Sequence, residues 1–353
     1  GRSHTFYIVL MRKQFQILIC LVSSGTLIAG TPTEFTLGLT GGYDSNVLRF
    51  SAGEFDIAAH DLDLMGGAIT FDSFVYKLGS SFEKTLFQSG EKEFLGSGSL
   101  NWSDYRHSQG RKYWSGGLDA VLKWGPYQSM KYSLRHLDSY YLRHYIDRDV
   151  SASDLTACAF SDRRQFITLT QRFGRRQWAS ISIGYLQRYY DRPFTEFDLD
   201  INYLRGKINK RIPGLGTVSL QVERGTALNR SFRQTAKASG LDRSYETLEW
   251  FIPIRVDRSI PFFSEIGASI RQETRSYAAE SEDDPLHLGR SHQDRKYDLW
   301  AVKRITDEIS LSITTRYRTR TTDSGYEWVE DLKSFQLLQL WCKIEWDLFY
   351  DRY

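Results

Sequence analysis

Apolar and polar residues alternate with a period of two along most of this chain. Phe35, Leu37, Leu39 and Tyr43 fall on one parity, and Glu34, Thr36, Thr40 and Asp44 on the other. Residues 195–203 repeat the pattern, with Phe197, Leu199, Ile201 and Tyr203 against Glu196, Asp198, Asp200 and Asn202. In residues 309–320, Ile309, Leu311, Ile313 and Tyr317 oppose Ser310, Ser312, Thr314, Arg316, Arg318 and Arg320. A period of two sends successive side chains to opposite faces of a strand. Each such strand therefore has one apolar face and one wet face.

The alternation predicts fourteen strands, at 34–45, 73–86, 92–106, 111–124, 129–146, 163–173, 178–190, 195–206, 216–227, 244–256, 261–277, 295–305, 308–322 and 333–349. Short links follow the even strands, at 87–91, 125–128, 174–177, 207–215, 257–260 and 306–307. Long polar connections follow most odd strands, at 46–72, 147–162, 228–243, 278–294 and 323–332, while 107–110 and 191–194 are shorter. An even strand number with short turns at one end and longer loops at the other is the pattern of a transmembrane, antiparallel, up-and-down β-barrel of the bacterial outer membrane. The expected fold class is all-β. Both termini fall on the short-turn side, which places that side in the periplasm and the long loops outside the cell. A soluble β-sandwich or propeller also alternates. It does not call for this loop asymmetry, and no repeat of propeller length is visible.

Composition supports lipid contact through strands. Aromatic residues make up 14% of the chain, with 21 Tyr, 21 Phe and 9 Trp. Beyond residue 31 no apolar run reaches the roughly 18 residues of a membrane helix. Trp114 and Trp124 bracket one strand on a single parity, and Trp346 and Tyr350 lie on the apolar row of the last strand. With Tyr203 they are candidates for the aromatic girdles that mark the two membrane interfaces. The last strand, with its row Leu338, Leu340, Cys342, Ile344, Trp346, Leu348 and Tyr350, resembles the carboxy-terminal aromatic signal read by the barrel-assembly machinery.

The amino terminus reads differently. Met11, Arg12 and Lys13 precede an apolar stretch from Phe15 to Val22, then small residues including Ser23, Ser24, Gly25, Ala29 and Gly30. That is the layout of a cleavable signal peptide. Residues 1–30 are thus expected to be upstream sequence and signal, and 31–353 the barrel. Residues 1–30 hold Arg2, Arg12 and Lys13 and no acid, so removing them balances 43 basic against 43 acidic residues. A neutral mature chain gives no reason to expect a nucleic-acid partner. Cys158, expected in an external loop, and Cys342, expected mid-strand, form no disulfide framework, and no Cys/His spacing suggests a metal or other cofactor.

Gly41-Gly42-Tyr43-Asp44-Ser45-Asn46-Val47 resembles a Tyr-Asp-Ser-Asn element on the first strand of many bacterial outer-membrane barrels, those of surface lipoprotein assembly modulators among them. Such modulators carry a helical-repeat periplasmic domain before the barrel, whereas here the alternation begins at residue 34. The resemblance implies an outer-membrane barrel and a link to export or assembly. Read as residues alone, the glycines permit close packing or a bend, and Asp44-Ser45-Asn46 suits an exit from strand to loop.

Candidate chemistry lies on the wet parity. A barrel of about fourteen strands should leave a lumen. Arg135, Arg143, Arg188, Glu273 and Arg275 are pore-lining candidates, and most such charges are expected to pair across neighbouring strands. Two clusters stand out, Glu196, Asp198 and Asp200 on the eighth strand and Arg316, Arg318 and Arg320 on the thirteenth. Facing each other across the mouth, they would set up a transverse field that filters ions. Neutralisation by strand neighbours is the competing reading. His107-Ser108 and His136 with Ser139 are the nearest approaches to a nucleophile and base, and neither has a third member. The sequence thus favours a non-enzymatic, porin-like channel for small polar solutes, set in outer-membrane lipid and lipopolysaccharide. An export or assembly component, or a barrel with adhesive loops, remains open.

Overall fold

The computed structural model describes residues 32–231, 241–257 and 260–350. The expected signal segment lies outside the described residues. The strands are β1 (Thr33–Asp44), β2 (Ser73–Ser89), β3 (Lys92–Tyr105), β4 (Tyr113–Gly125), β5 (Gln128–Ile146), β6 (Leu155–Gly174), β7 (Gln177–Tyr190), β8 (Leu199–Ile212), β9 (Gly216–Asn229), β10 (Tyr245–Val256), β11 (Glu265–Tyr277), β12 (Ser291–Arg304), β13 (Ile309–Asp323) and β14 (Phe335–Tyr350). Each pairs antiparallel with its neighbours in chain order, and β1 pairs with β14 to close the barrel. At that seam Thr36 lies opposite Asp347, Gly42 opposite Trp341 and Asp44 opposite Gln339. Closure leaves no strand edge to satisfy, which a hydrocarbon surrounding requires.

The outer face is apolar around the barrel. Leu39, Leu78, Leu100, Ile167, Ile183, Leu204, Leu248, Leu299 and Ile344 all point away from the interior and are exposed, Ile183 by 68%. An apolar belt this continuous belongs in lipid rather than water. Trp114 sits outward at the long-loop end of β4, opposite the outward Trp102 of β3. Trp124 lies at the short-turn end, where the β4–β5 register shifts between Lys123 and Gly125. Trp346 and Tyr350 are exposed at the short-turn end of β14.

The short turns are residues 90–91, 126–127, 175–176, 213–215 and 305–308, with a longer link at 257–264. The opposite end carries 45–72, 106–112, 147–154, 191–198, 230–231, 241–244, 278–290 and 324–334. Three differences from the expected boundaries have physical causes. β6 begins at Leu155, so Cys158 is buried on a strand and not in a loop. β8 runs to Ile212, past the expected turn, because Lys207, Asn209 and Arg211 are its wet parity, not turn residues. The first part of the expected eighth strand is instead one 3-10 turn, Thr195–Phe197.

The long loops also contain helices that alternation did not predict. They are α1 (Ala52–Ala58), α2 (Leu62–Met65) and α3 (Glu327–Lys333). Ser51 and Glu54 form a reciprocal capping box that starts α1.

Candidate functional site

The first long loop, residues 45–72, folds back into the mouth of the barrel. Val47, Leu48, Phe50, Ala58 and Met65 are buried and pack with Val75, Tyr105 and Tyr141 of the wall. Trp341 of β14 packs against the same cluster. The loop therefore touches strands on both sides of the seam. Polar contacts fix it: the Arg111 guanidinium donates to the carbonyls of Val47 and Tyr141, and Arg143 pairs with Glu54 of α1 at 3.0 Å. Arg49 reaches Tyr140 on β5, its Nη2 donating to the hydroxyl at 3.4 Å. Burial lowers the Arg49 pKa to about 10, and Arg318 and Arg320 on the far wall are among its neighbours.

The Tyr-Asp-Ser-Asn element accounts for how this loop is launched. Asp44 accepts from Asn46 N at 3.0 Å and from Gln339 Nε2 at 2.7 Å. Ser45 Oγ accepts from Leu338 N at 2.8 Å. Asn46 Nδ2 donates to the carbonyls of Phe50 and Gln336, while its Oδ1 accepts from Phe50 N. Three successive side chains thus lock the loop's first turn to β14. Gly42 faces inward beneath Trp341, whose ring leaves no room for a Cβ.

The lumen wall from β8 to β13 is a lattice of paired charges. Arg205 bonds Glu223 across the β8–β9 pair, Arg271 bonds Glu249, and Arg275 bonds Glu273 at 2.8 Å. Arg316 bonds Asp298 at 2.7 Å, while Arg318 and Arg320 share Asp294. On the opposite wall Arg135 bonds Asp119 at 2.8 Å and Arg188 bonds Asp162 at 2.8 Å. Of the expected pore-lining residues, Arg135, Arg188, Glu273, Arg275, Arg316, Arg318 and Arg320 share the inward parity of these ladders, and Arg143 binds the inserted loop.

The acidic cluster is placed otherwise, which overturns the expected facing rows. Asp200 shares its parity with the lipid-facing Leu204 and Ile208 and binds Tyr185 and Arg230. Asp198 caps the start of β8 and accepts from Tyr190 N at 2.7 Å. Glu196 belongs to the 3-10 turn, where burial raises its pKa. Tyr203, expected in a girdle, faces inward beneath Arg164, whose guanidinium carbon lies 4.6 Å from the ring. Gly184 lies opposite, and a Cβ there would collide with the ring. The apolar row of 197–203 is real, but it faces the interior. Leu199 packs with Ala227 and Tyr245 above the lipid belt, where the barrel core and not the membrane takes apolar side chains.

Asp294, Arg49 and Arg111 were not among the residues that the sequence pattern marked, whereas Asp298 was legible as an inward acid able to neutralise the arginines. Asp294 was legible in principle, since it alternates with Lys296 and Asp298 on one parity. His136 Nε2 lies 3.6 Å from Asp138 Oδ1. His107 Nδ1 lies 3.2 Å from Thr70 Oγ1, and Ser139 Oγ donates to Asp191.

On the short-turn side of Trp341 the interior holds a cavity of about 420 Å³, whose lining includes Thr36, Thr40, Lys77, Thr314, Lys343 and Glu345. A second, of about 310 Å³, is bordered by Arg135, Asp162 and Arg164. The closed sheet, apolar belt and wet interior together define a fourteen-stranded transmembrane β-barrel.

No protein-family model and no curated protein matches the sequence. Among solved structures, the chain is similar to the outer membrane channel DcaP of Acinetobacter baumannii, at 9% identity over 90% of this chain and 98% of that one, with a TM-score of 0.45. It is similar to an outer membrane channel from Pseudomonas putida F1, at 10% identity over 92% and 97%, with a TM-score of 0.44. The outer membrane protein OpdK of Pseudomonas aeruginosa matches at 11% identity over 90% and 99%, with a TM-score of 0.42.

Proposed function

We propose that this protein is a passive outer-membrane channel for small hydrophilic solutes, with a preference for anions. The carrying observation is the interior itself. Against β1, β2, β3, β13 and β14 it holds a cavity lined by hydroxyl, amide and ammonium groups, with the carboxylate of Glu345 paired to Lys343. Apolar closure of that space would be the cheaper structure if nothing polar had to pass. The anion preference follows from the charge census. Most inward acids are already paired with arginine, whereas Lys77, Lys207 and Lys296 lie on inward parities with no acid in salt-bridge range among the described residues. In this reading lipid and lipopolysaccharide surround the belt, the long loops lie outside, both termini are periplasmic, and the barrel-assembly machinery inserts the chain.

The inserted loop favours a second reading, a barrel closed at its mouth whose outer loops bind something else. Uptake separates the two. Proteoliposomes holding the purified barrel should admit small sugars and amino acids at rates far above protein-free liposomes. Rates equal to the protein-free control would leave the closed, loop-binding barrel as the better account.

A further inference from the structure

The long-loop end of the lumen holds a cluster of donors with nothing to donate to. Arg290 Nε, His292 Nε2 and Thr322 Oγ1 are buried side-chain atoms without a hydrogen-bond partner. Their residues are 6%, 3% and 5% exposed. His292 and Thr322 face each other across the β12–β13 pair. The Arg290 guanidinium carbon sits 4.0 Å from the Tyr277 ring, and the His292 ring lies 6.1 Å from the same ring. Lys333, the last residue of α3, precedes Ser334, whose Oγ accepts from Thr322 N at 3.0 Å, and Arg290, Arg320 and Arg143 are its electrostatic neighbours.

Four acids at this end of the barrel, Glu54, Glu273, Asp294 and Asp284, are bonded elsewhere. Glu54 is held by Arg143, Glu273 by Arg275, and Asp294 by both Arg318 and Arg320. Asp284 is bonded to His287 at 2.8 Å. Residues 232–240, between β9 and β10, include no Asp or Glu. Arg290 and Lys333 therefore have no acid in salt-bridge range among the described residues. A buried donor without a partner is costly, and more so when charged. Several such donors converging beside surplus positive charge fit an acceptor-only, negatively charged group.

We propose that Arg290, His292, Thr322 and Lys333 form an oxyanion site in the roof of the lumen, which takes the carboxylate or phosphate group of a small solute. Arg290 and Lys333 supply charge, and the Thr322 hydroxyl supplies a directed neutral donor. The Nε2–H tautomer of His292 supplies a second. Tyr277 braces the guanidinium from behind. The site names the solute class for the channel reading, and rests on it only for how the solute arrives.

Calorimetric titration of the purified barrel in non-ionic detergent tests the site without requiring conduction. The probes are inorganic phosphate and succinate. Saturable binding of at least one is expected, and which one binds separates the phosphate source from the carboxylate source. Arg290→Gln and Lys333→Gln should each weaken binding by about ten-fold, equivalent to the roughly 1.4 kcal/mol of one charge-assisted bond. Thr322→Val, a nearly isosteric change that preserves the fold, should weaken it to a smaller extent. Lys92→Gln, which removes one exposed charge at the start of β3, should leave binding unchanged. Absence of saturable binding by both probes, or equal weakening by Lys92→Gln, overturns the site. Binding without solute uptake would instead sink the channel reading and leave the site standing.

Discussion

Asp294 is 4% exposed and accepts from two arginines on the neighbouring strand. Its replacement strands both Arg318 and Arg320. Breaking a buried ion pair from one side costs about 3 kcal/mol or more. Asp294→Asn should therefore lower the urea midpoint of unfolding, while Asp298→Asn, which frees only the more exposed Arg316, should lower it less. Equal effects would show that water in the lumen already screens the shared carboxylate. Lys333 gives a pH signature. Burial, with Arg143 and Arg290 beside it, lowers its pKa to about 7 against the opposing effect of Glu54. Arg320 also acts on it, and the Tyr145 ring lies 6.0 Å from its Nζ. A lowered lysine is charged below its folded pKa and loses that charge as pH rises through it. Succinate binding should thus weaken between about pH 6 and about pH 8, and Lys333→Gln should flatten that slope. A slope unchanged in the variant would remove Lys333 from the site. Some of this was readable from the sequence. The shared parity of Arg316, Arg318 and Arg320 follows from alternation with Ile313 and Tyr317. Neutralisation by strand neighbours, Asp298 among them, was also legible, but the sharing of Asp294 by Arg318 and Arg320 was not, because the sequence carries no register between β12 and β13. The phase of 195–203 was misread for a different reason. Alternation reports that one face is apolar, not whether lipid or a loop-covered core receives it.

The element with the largest consequence is the first long loop. Strand number, closure and the end carrying the long loops were legible, since period-two rows and turn residues report them directly. The inward fold of residues 45–72 was not. Phe50, Phe55 and Phe71 meet edge to face within it, yet in sequence they are isolated aromatics in a polar stretch. Asp44, Ser45 and Asn46 suggested only an exit from a strand. The contacts across the seam show that this exit also fixes the direction of the loop. Gly66 sits at a φ of 58°, and a Cβ there would strike Tyr141 and His144. Excising residues 53–66 should leave the barrel folded, because the strand ladders do not depend on α1 or α2. Single-channel conductance should rise in the excised form, and current steps should lose any dependence on the Arg143–Glu54 pair. A conductance unchanged by the excision would place the narrowest point elsewhere, along the β8–β13 lattice.

At the scale of the whole molecule, three surfaces divide the work. The outer belt is apolar, the seam closes the sheet, and the interior carries paired charge with cations in surplus. A barrel needs the first two in order to exist in lipid. The third is what a solute would meet. Rings of fixed charge select ions by sign when water fills the space between them. The measurement that bears most directly on this account is the reversal potential of the purified barrel in a planar bilayer under a KCl gradient. The account predicts discrete current steps and a reversal potential displaced towards that of chloride. Absence of steps, or a displacement towards potassium, would contradict it.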